Sequence, residues 1–468
     1  MFRPFIACAL IASAGTASAQ NYTDAQFFLD YKGPSTDSYS MTRVGRKIYV
    51  GGGFLDTAGK PDLKNLARFN LDTESWEQVP GINSNHRNFV RSLHKMDDGT
   101  LVVGGDFTSI GGVAAQKVAL FDPKTDTWSQ LLDTTAGDDS TGPQGGGVQS
   151  ITSSGDYIYI GADILWNTDN PDWKHVRRYN TVTKKWSSAG LGLDETVHTM
   201  TTDAVGNVIA GGGFTKSGTT EIAALAMWNG SAWSEIGGGV DGFVRAVAIA
   251  PDGRLFVGGQ FTSVGGQTAN NIAAWNGTSW DTLNGGVLAS DSVNGVFGMS
   301  IDQKGRVYIA GEFDRAGADN SPLNNVALWD GSGSWRALGS GLGKSSTQIV
   351  QCVYALGDDV YFSGVFADPN GSPNAKKNFA RWNATRDFTD YLPGLGGLER
   401  SFSIKRDGND LIVSFETISG VSYVLQGSDS SLGGWRNVSA SNNGVDGRTY
   451  TFTIPMANSS AYYRVLAD

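Results

Sequence analysis

FVRAVAIAPDGRLFVGGQFTSVGGQTANNIAAWNGTSWDTLNGGV, residues 243–287, decides the fold of this chain. It contains four short apolar runs, separated by turn sequences such as Pro251-Asp252-Gly253 and Asn276-Gly277. Asn-Gly is typical of a tight hairpin turn, and a strand that ends in Gly-Gly allows another backbone to approach closely. The stretch therefore predicts a four-stranded antiparallel sheet. Such a sheet is too small to bury both of its faces unless it stacks on similar sheets.

The same unit occurs seven times along the chain. One apolar residue follows the glycine-containing strand of each copy: Phe54, Phe107, Ile164, Phe214, Phe261, Phe313 and Phe366. Successive members of this column are 47 to 57 residues apart, which is the period of propeller blades. A large aromatic residue marks the fourth strand of each copy: Trp76, Trp128, Trp186, Trp233, Trp280, Trp335 and Phe388. We therefore predict an all-β chain with a seven-bladed β-propeller.

Two of the copies carry a recognisable motif. Residues 70–76, NLDTESW, and residues 122–128, DPKTDTW, resemble the kelch repeat, in which a strand ending in Gly-Gly precedes Thr-x-x-Trp. The later copies, of the form GGxFxxxGG…AxWNGxxW, also resemble propeller repeats of large bacterial surface proteins. The resemblance covers residues 39–397 and implies four-stranded kelch-like blades. Kelch-like propellers serve as binding scaffolds and, less often, as enzymes, so the resemblance does not choose a function.

The flanks of the repeats define three further expectations. Residues 1–20 combine Arg3, a short apolar run and Ala17-Ser18-Ala19, which predicts a signal peptide cleaved near Ala19. The propeller is expected over residues 21–397, and the alternating strands of residues 398–468 predict a small β-sandwich accessory module. Two segments, residues 25–31 and residues 388–392, compete for the outer strand of the seventh blade, and the sequence leaves that choice open.

Composition restricts the classes of partner. The formal net charge of the chain is −10, so phosphate backbones and anionic lipids are repelled, and we expect neither nucleic-acid binding nor membrane insertion. Cys352 is the one cysteine left after removal of the leader, so an internal disulfide framework is excluded, and we expect a small buried side chain there. We expect a monomer in the periplasm, outside the cell or on the cell surface.

Where one copy of a repeat departs from the others, we expect its residues to have a role other than packing between blades. The third copy departs most, in residues 163–175 and in the long connection before it. The two loops emerge on the same face of a blade. Tryptophan and carboxylate side chains there suit a sugar, through stacking and hydroxyl hydrogen bonds. The predicted ligand-binding residues are Asp138, Asp139, Asp163, Trp166, Asp169, Asp172, Trp173 and His175. Asp138, Asp139, Asp169 and Asp172 also suit Ca²⁺, although no cofactor is required by this interpretation.

A second set of polar residues immediately precedes the Phe54-type column. It varies from copy to copy, with Asp106, Gln260 and Glu312 in three blades and glycine in blades one and four. Asp106 and Glu312 are candidates for an acid/base pair in glycoside cleavage, with His175 and His198 as further acid/base candidates. Motifs for phosphate loops, zinc proteases and nucleophile elbows are absent from the sequence.

The sequence thus predicts a secreted or cell-surface binding protein that recognises a glycan or a cell-surface protein on the rim near blade three. Two alternatives stay open. One is a polysaccharide-cleaving enzyme, a lyase or glycoside hydrolase, and the other is a purely structural surface protein.

Overall fold

The computed structural model describes residues 33–82, 89–115, 117–131, 146–163, 175–290, 295–343, 348–366 and 378–383 in full. Outside these ranges it describes the backbone of Leu10–Ala12, Phe27–Phe28 and the strands after residue 401. Every regular element in the described part of the chain is a β-strand. The chain divides into two compact units, Tyr22–Asn383 and a second made of Met1–Asn21 with Ala384–Asp468.

The larger unit is a seven-bladed β-propeller, as the repeats predict. Each blade is an antiparallel sheet, and in blades 1 to 6 the strands follow one another in space as in sequence. From inner to outer strand, blade 1 consists of Ser38–Val44, Lys47–Gly52, Leu66–Asn70 and Ser75–Gln78; blade 2 of Phe89–Lys95, Leu101–Asp106, Val118–Asp122 and Thr127–Gln130; and blade 3 of Val148–Ser154, Tyr157–Ala162, Val176–Asn180 and Lys185–Ser188. Blade 4 consists of Val197–Thr202, Val208–Gly212, Leu225–Trp228 and Trp233–Glu235, and blade 5 of Phe243–Ile249, Leu255–Gln260, Ile272–Trp275 and Trp280–Asp281. Blade 6 consists of Gly295–Ile301, Val307–Glu312, Val326–Trp329 and Trp335–Ala337, and blade 7 of Ile349–Leu356, Asp359–Val365, Phe379–Asn383 and Phe27–Phe28.

Short two-stranded sheets decorate the connections between second and third strands in several blades. They are Ser109–Ile110 with Val113–Ala114, Lys216–Ser217 with Thr220–Glu221, and Ser263–Val264 with Gln267–Thr268. Val287–Leu288 pairs with Arg315–Ala316 in the same region of blade 6.

The ring closes with a strand from the N-terminal side of the repeats. Phe27–Phe28 pairs with Phe379–Asn383 and forms the outer strand of blade 7. Of the two segments that the sequence leaves open, the structure therefore uses the one before blade 1. Residues 388–392, together with Phe388, lie outside the described residues. The inner strands of blades 7 and 1 are also in contact, as are all other neighbouring inner strands, so the blades form a closed ring.

Glycine in the second strand allows neighbouring blades to pack closely. A Cβ atom added to Gly258 would lie 2.7 Å from Cγ1 of Val296, and one added to Gly104 would lie 2.5 Å from Cγ1 of Val148. A valine of the next blade fills this space at five interfaces, and these valines are fully buried: Val90, Val148, Val197, Val244 and Val296. The interface between blades 7 and 1 replaces this pair by a hydrogen bond between the hydroxyls of Ser363 and Ser38, 2.8 Å apart.

Tryptophan side chains of the outer strands join neighbouring blades. The indole Nε1 of Trp280 donates to the backbone oxygen of Gly237 at 2.8 Å, at the end of the preceding blade. Trp128, Trp233 and Trp335 make the same bond to Pro80, Ala189 and Leu283 at 2.7, 2.9 and 3.0 Å. The repeated tryptophan is therefore explained by packing between blades, and a site must be sought where the repeats differ.

The smaller unit contains two antiparallel sheets. One is built from Phe402–Asp407, Asp410–Glu416 and Thr449–Pro455, and the other from Leu10–Ala12, Ser422–Ser428, Arg436–Asn437, Asn442–Asn443 and Ala461–Ala467. Two sheets are what a small β-sandwich requires. Leu10–Ala12 lies in the predicted signal peptide, whose cleavage stays a prediction. The described residues include no helix that is long and apolar enough to cross a membrane.

Candidate functional site

Each inner strand carries a β-bulge at the same place. In blade 5, Val244 pairs with Gly259 and Ala246 pairs with Gly258, so Arg245 is the extra residue. The same shift in register occurs in all seven blades. The extra residues, here named the bulge ring, are Tyr39, Arg91, Gln149, His198, Arg245, Phe297 and Gln351. Since β-bulges redirect side chains and are frequent next to functional sites, the bulge ring is the first feature to test as a binding surface.

The bulge ring lines a cavity in the centre of the propeller. This channel cavity has a volume of about 230 Å³ and all seven members of the bulge ring contribute to its wall. Further along the inner strands the wall becomes apolar, with Met41, Leu93, Ile151, Met200, Val247, Met299 and Val353. The cavity thus presents cationic, amide, imidazole and aromatic side chains above an apolar floor, which is the composition expected of a small-ligand site.

A second ring of variable residues lies beside the first, and is here named the rim position. These residues end or directly follow the second strands, immediately before the Phe54-type column: Gly53, Asp106, Asp163, Gly213, Gln260, Glu312 and Val365. In three blades the rim position bonds to the bulge residue. Arg91 Nε donates to Asp106 Oδ2 at 2.7 Å, and Gln149 Nε2 donates to Asp163 Oδ2 at 2.9 Å.

Arg245 differs from Arg91 because its rim partner is neutral. Its Nη2 donates to Oε1 of Gln260 at 3.3 Å, and its guanidinium lies 5.6 Å from the ring centroid of Phe243. Nε of Arg245 is buried and has no hydrogen-bond partner, and no carboxylate of the described residues forms an ion pair with it. Burial lowers the pKa of this guanidinium. One cation at the mouth of the channel is therefore left without a counter-charge.

His198 lies beside Arg245 in the bulge ring. Its Nδ1 is 3.5 Å from Nη1 of Arg245, and its ring centroid is 6.4 Å from that of Phe243. Burial, with the Arg245 guanidinium as the second cause, lowers the pKa of His198 to about 4. The imidazole is therefore neutral at pH 7. Since Nδ1 faces a guanidinium donor, Nε2 carries the proton and can donate a hydrogen bond at the channel cavity.

A groove adjoins this part of the mouth. It has a volume of about 450 Å³ and runs between blade 5 and the connection to blade 6. Phe243 and Gln260, which both contact Arg245, also line the groove, and Phe243 is 49% exposed. The volume falls within the range of about 300–1,000 Å³ that is typical of ligand pockets. Arg245 thus lines the channel cavity together with His198, and its other two side-chain neighbours belong to the groove.

Two of the ligand-binding residues predicted near blade three lie among the described residues. Asp163 occupies the rim position of blade 3, and its Oδ1 is buried without a hydrogen-bond partner. His175 is buried, its Nδ1 lies 3.2 Å from the backbone oxygen of Ala162, and burial lowers its pKa. His175 does not line the channel cavity. Asp138, Asp139, Trp166, Asp169, Asp172 and Trp173 lie outside the described residues.

The acid/base and metal predictions both stay open. Asp106 is bonded to Arg91, so it would have to leave that ion pair to act as an acid, and Glu312 ends the second strand of blade 6 opposite Gly295. Their catalytic roles stay predictions. The described residues contain no group of three or more side chains able to hold a metal ion. The four aspartates proposed for Ca²⁺ all lie outside them, so that prediction also stays open.

Cys352 occupies a buried position beside the bulge residue of blade 7. Its Sγ lies 3.1 Å from the backbone oxygen of Ser38, and burial raises the pKa of its thiol. A protonated, buried thiol is unreactive, so Cys352 serves packing at the closure between blades 7 and 1.

Sequence reasoning missed the bulge ring, although a signal was present. In six of the inner strands the same valine column is followed by a residue that changes in nearly every copy, and then by a small residue. Blade 5 reads Val244-Arg245-Ala246 and blade 4 reads Val197-His198-Thr199. A variable position between two constrained ones indicates a side chain released from packing, and this pattern could have identified the ring.

Comparisons with known proteins agree with the architecture. A family model described as the Rax2 C-terminal beta propeller domain matches residues 29–184, and a model described as a beta-propeller domain of unknown function (DUF5122) matches residues 250–273. These matches cover two parts of the propeller. A search of the curated proteins finds no match.

Several solved structures are similar to this chain at low identity. The extracellular domain of a one-component system from B. thetaiotaomicron is 13% identical with a TM-score of 0.49, and the match covers 85% of this chain and 45% of that one. The chain therefore spans less than half the length of that protein. The WD40 propeller domain of Doa1 is 14% identical (TM-score 0.44, 82% and 98% covered), and an oligogalacturonate lyase from Vibrio parahaemolyticus is 12% identical (TM-score 0.45, 81% and 97% covered). At these identities the likeness concerns the fold alone.

Proposed function

We propose that the protein is an exported binding protein that holds a saccharide at the mouth of the propeller channel. The observation that carries this proposal is the bulge ring. Seven blades with nearly constant packing residues present seven side chains of five different types to one cavity, and blade stability does not require that diversity. The predicted signal peptide supports export, and the aromatic, amide and charged side chains at the mouth are the types that contact sugar rings and hydroxyls.

The proposed binding site is centred on the mouth of the channel, whereas the sequence predicted a site on the rim near blade three. Asp163 belongs to both, so the loops around blade three can extend the same surface. The saccharide interpretation also explains why the ring of Phe243 stays exposed while the blade interfaces bury their aromatic residues.

Native electrophoresis through gels that contain a single polysaccharide tests the proposal, with and without Ca²⁺. A bound polymer retards the protein, and we expect retardation on at least one gel. Phe243→Ala, which removes the exposed ring at the mouth, should weaken it. Val205→Ala is the control, because Val205 is 85% exposed in a turn between the first and second strands of blade 4, at the opposite end of the blade. The absence of retardation on every gel, or equal loss in both variants, would refute the proposal.

Cleavage of a polysaccharide is a second candidate, and His198 is the observation in its favour. A neutral imidazole at the wall of the cavity can act as a base through Nδ1 when a bound substrate displaces its 3.5 Å contact with the guanidinium of Arg245. A cleared zone in the gel, with release of reducing ends that is lost in His198→Gln while retardation persists, would identify an enzyme. Glutamine already occupies the bulge ring in blades 3 and 7, so this variant fits the fold.

A further inference from the structure

The two arginines of the bulge ring form a natural comparison within one molecule. Arg91 and Arg245 occupy the same bulge, and both lie over the ring of the residue two positions earlier, Phe89 or Phe243. They differ at the rim position, where Arg91 meets the carboxylate of Asp106 and Arg245 meets the amide of Gln260. A guanidinium that is partly buried without a carboxylate costs free energy, because its desolvation is not compensated.

The guanidinium of Arg245 keeps unsatisfied donors and belongs to a residue that lines a space able to accept a ligand. Nε has no partner, Nη1 reaches only the imidazole of His198 at 3.5 Å, and Nη2 makes a 3.3 Å bond to a neutral amide. Arg245 lines the channel cavity. A planar guanidinium with free donors binds oxyanions through paired hydrogen bonds. The net charge of −10 does not exclude this, because a local cation in a cavity acts at short range where the rest of the protein is screened.

We infer that Arg245 is an anion subsite, and that the saccharide held at the mouth carries a carboxylate or sulfate group bound by this guanidinium. The inference rests on the proposed function. The neutral imidazole of His198 accepts from Nη1 of Arg245 at Nδ1, so its Nε2–H donates to a hydroxyl of the same sugar residue. Phe243 covers the guanidinium on the groove side. The absence of a carboxylate at the rim of blade 5 is then what leaves the subsite open.

Equilibrium binding to matched polymers tests the subsite. Polygalacturonate and its methyl ester differ only in the carboxylate, and dextran sulfate and dextran differ only in the sulfate. We expect the charged member of at least one pair to bind at least tenfold more tightly, and the pair that shows this difference identifies the anion. Neutral members that bind as tightly as charged ones would overturn the subsite while leaving the proposed function intact. If no polymer of either kind binds, the proposed function itself fails.

Three variants locate the effect. Arg245→Gln, which places at blade 5 the residue of blades 3 and 7, should weaken binding of the charged polymer about 10- to 100-fold and leave that of its neutral counterpart unchanged. Gln260→Glu should do the same by supplying an internal carboxylate. Arg254→Gln removes the same charge from the turn at the other end of blade 5, where Arg254 pairs with Asp252, and should change binding less than twofold. Unaltered binding in Arg245→Gln, or equal loss in Arg254→Gln, would contradict the inference.

Discussion

Arg245 Nη2 lies 3.3 Å from Oε1 of Gln260, in the position where blade 2 places an ion pair between Arg91 and Asp106. The same backbone geometry therefore holds one arginine that is neutralised within the protein and one that is not. The two arrangements differ in a single rim residue, so substitution of that residue can convert one into the other.

Exchanging the rim residues should change stability in opposite directions. Asp106→Asn leaves Arg91 without its carboxylate, and we expect the free energy of unfolding to fall by about 1–2 kcal/mol, because the pair is about three-quarters buried. Gln260→Glu gives Arg245 a carboxylate and should raise the free energy of unfolding. Urea denaturation at pH 7 measures both, and a loss of stability in Gln260→Glu would show that Arg245 needs no counter-charge.

The contact between Gly258 and Val296 predicts an effect of added volume. A Cβ atom at position 258 would lie 2.7 Å from Val296 Cγ1, so Gly258→Ala should destabilise the protein by about 1–3 kcal/mol through overpacking between blades 5 and 6. In the double variant Gly258→Ala/Val296→Ala the new methyl group gains room. The double variant should therefore be more stable than the sum of the single changes predicts, and strict additivity would place the strain elsewhere.

The indole hydrogen bond of Trp280 predicts a loss that its neighbour does not share. Trp280→Phe removes the donor to Gly237 across the interface between blades 4 and 5, and we expect a loss of about 1–2 kcal/mol. Trp275→Phe makes the same chemical change on the third strand of the same blade, where blades 1 and 2 already have Phe69 and Phe121. Thermal unfolding should therefore show a smaller shift for Trp275→Phe, and equal shifts would remove the role of the hydrogen bond.

His198 predicts a pH dependence of stability. Its pKa is about 4 in the folded protein and has an ordinary value of 6.5 in the unfolded chain, so between these values the unfolded state binds more protons. The stability that His198 contributes is complete above pH 6.5 and is lost as pH falls towards 4, by an amount of about 1–3 kcal/mol.

His94 carries a similar shift, its pKa being lowered by burial to about 4, and burial also lowers the pKa of His175, so the wild-type curve contains all three histidines. His198→Gln should remove the contribution of His198 to this pH dependence. The denaturation midpoint of the variant should therefore fall less steeply than that of the wild type between pH 6.5 and 4. Parallel curves for the two proteins would mean that the imidazole of His198 is not held neutral by the fold.

Much of the fold could be predicted from sequence because blade packing repeats. Each column of repeated residue type, whether glycine, the aromatic residue that follows it or tryptophan, makes a contact that recurs from blade to blade. Gly104 packs against Val148, for example, and Trp128 donates a hydrogen bond to Pro80. The ring closure could not be chosen in the same way. Phe27–Phe28 is a two-residue strand outside the repeats, and pairing over such a short length leaves no periodic pattern in the chain.

The residues of the candidate site also fall into two sets, one that the sequence indicated and one that only strand pairing reveals. Variation before the Phe54-type column was visible in the sequence, and it led to Asp106, Gln260 and Glu312 at the rim position. The bulge residues were not identified, because every inner strand carries the extra residue at the same place and an alignment of the copies shows no insertion. A bulge is a relation between two strands, here Val244 opposite Gly259 and Ala246 opposite Gly258, and it exists only once they pair.

The sequence by itself determined the number of blades, the residues that lock them together and the surplus of negative charge, since these follow from local pattern and composition. The tertiary structure decided which side chains meet at the channel. Residues such as Arg91 and Asp106, fifteen positions apart, become an ion pair because antiparallel pairing brings the start of one strand beside the end of the next. The same pairing leaves Arg245 beside an amide, and only ring closure turns seven separate bulges into one cavity.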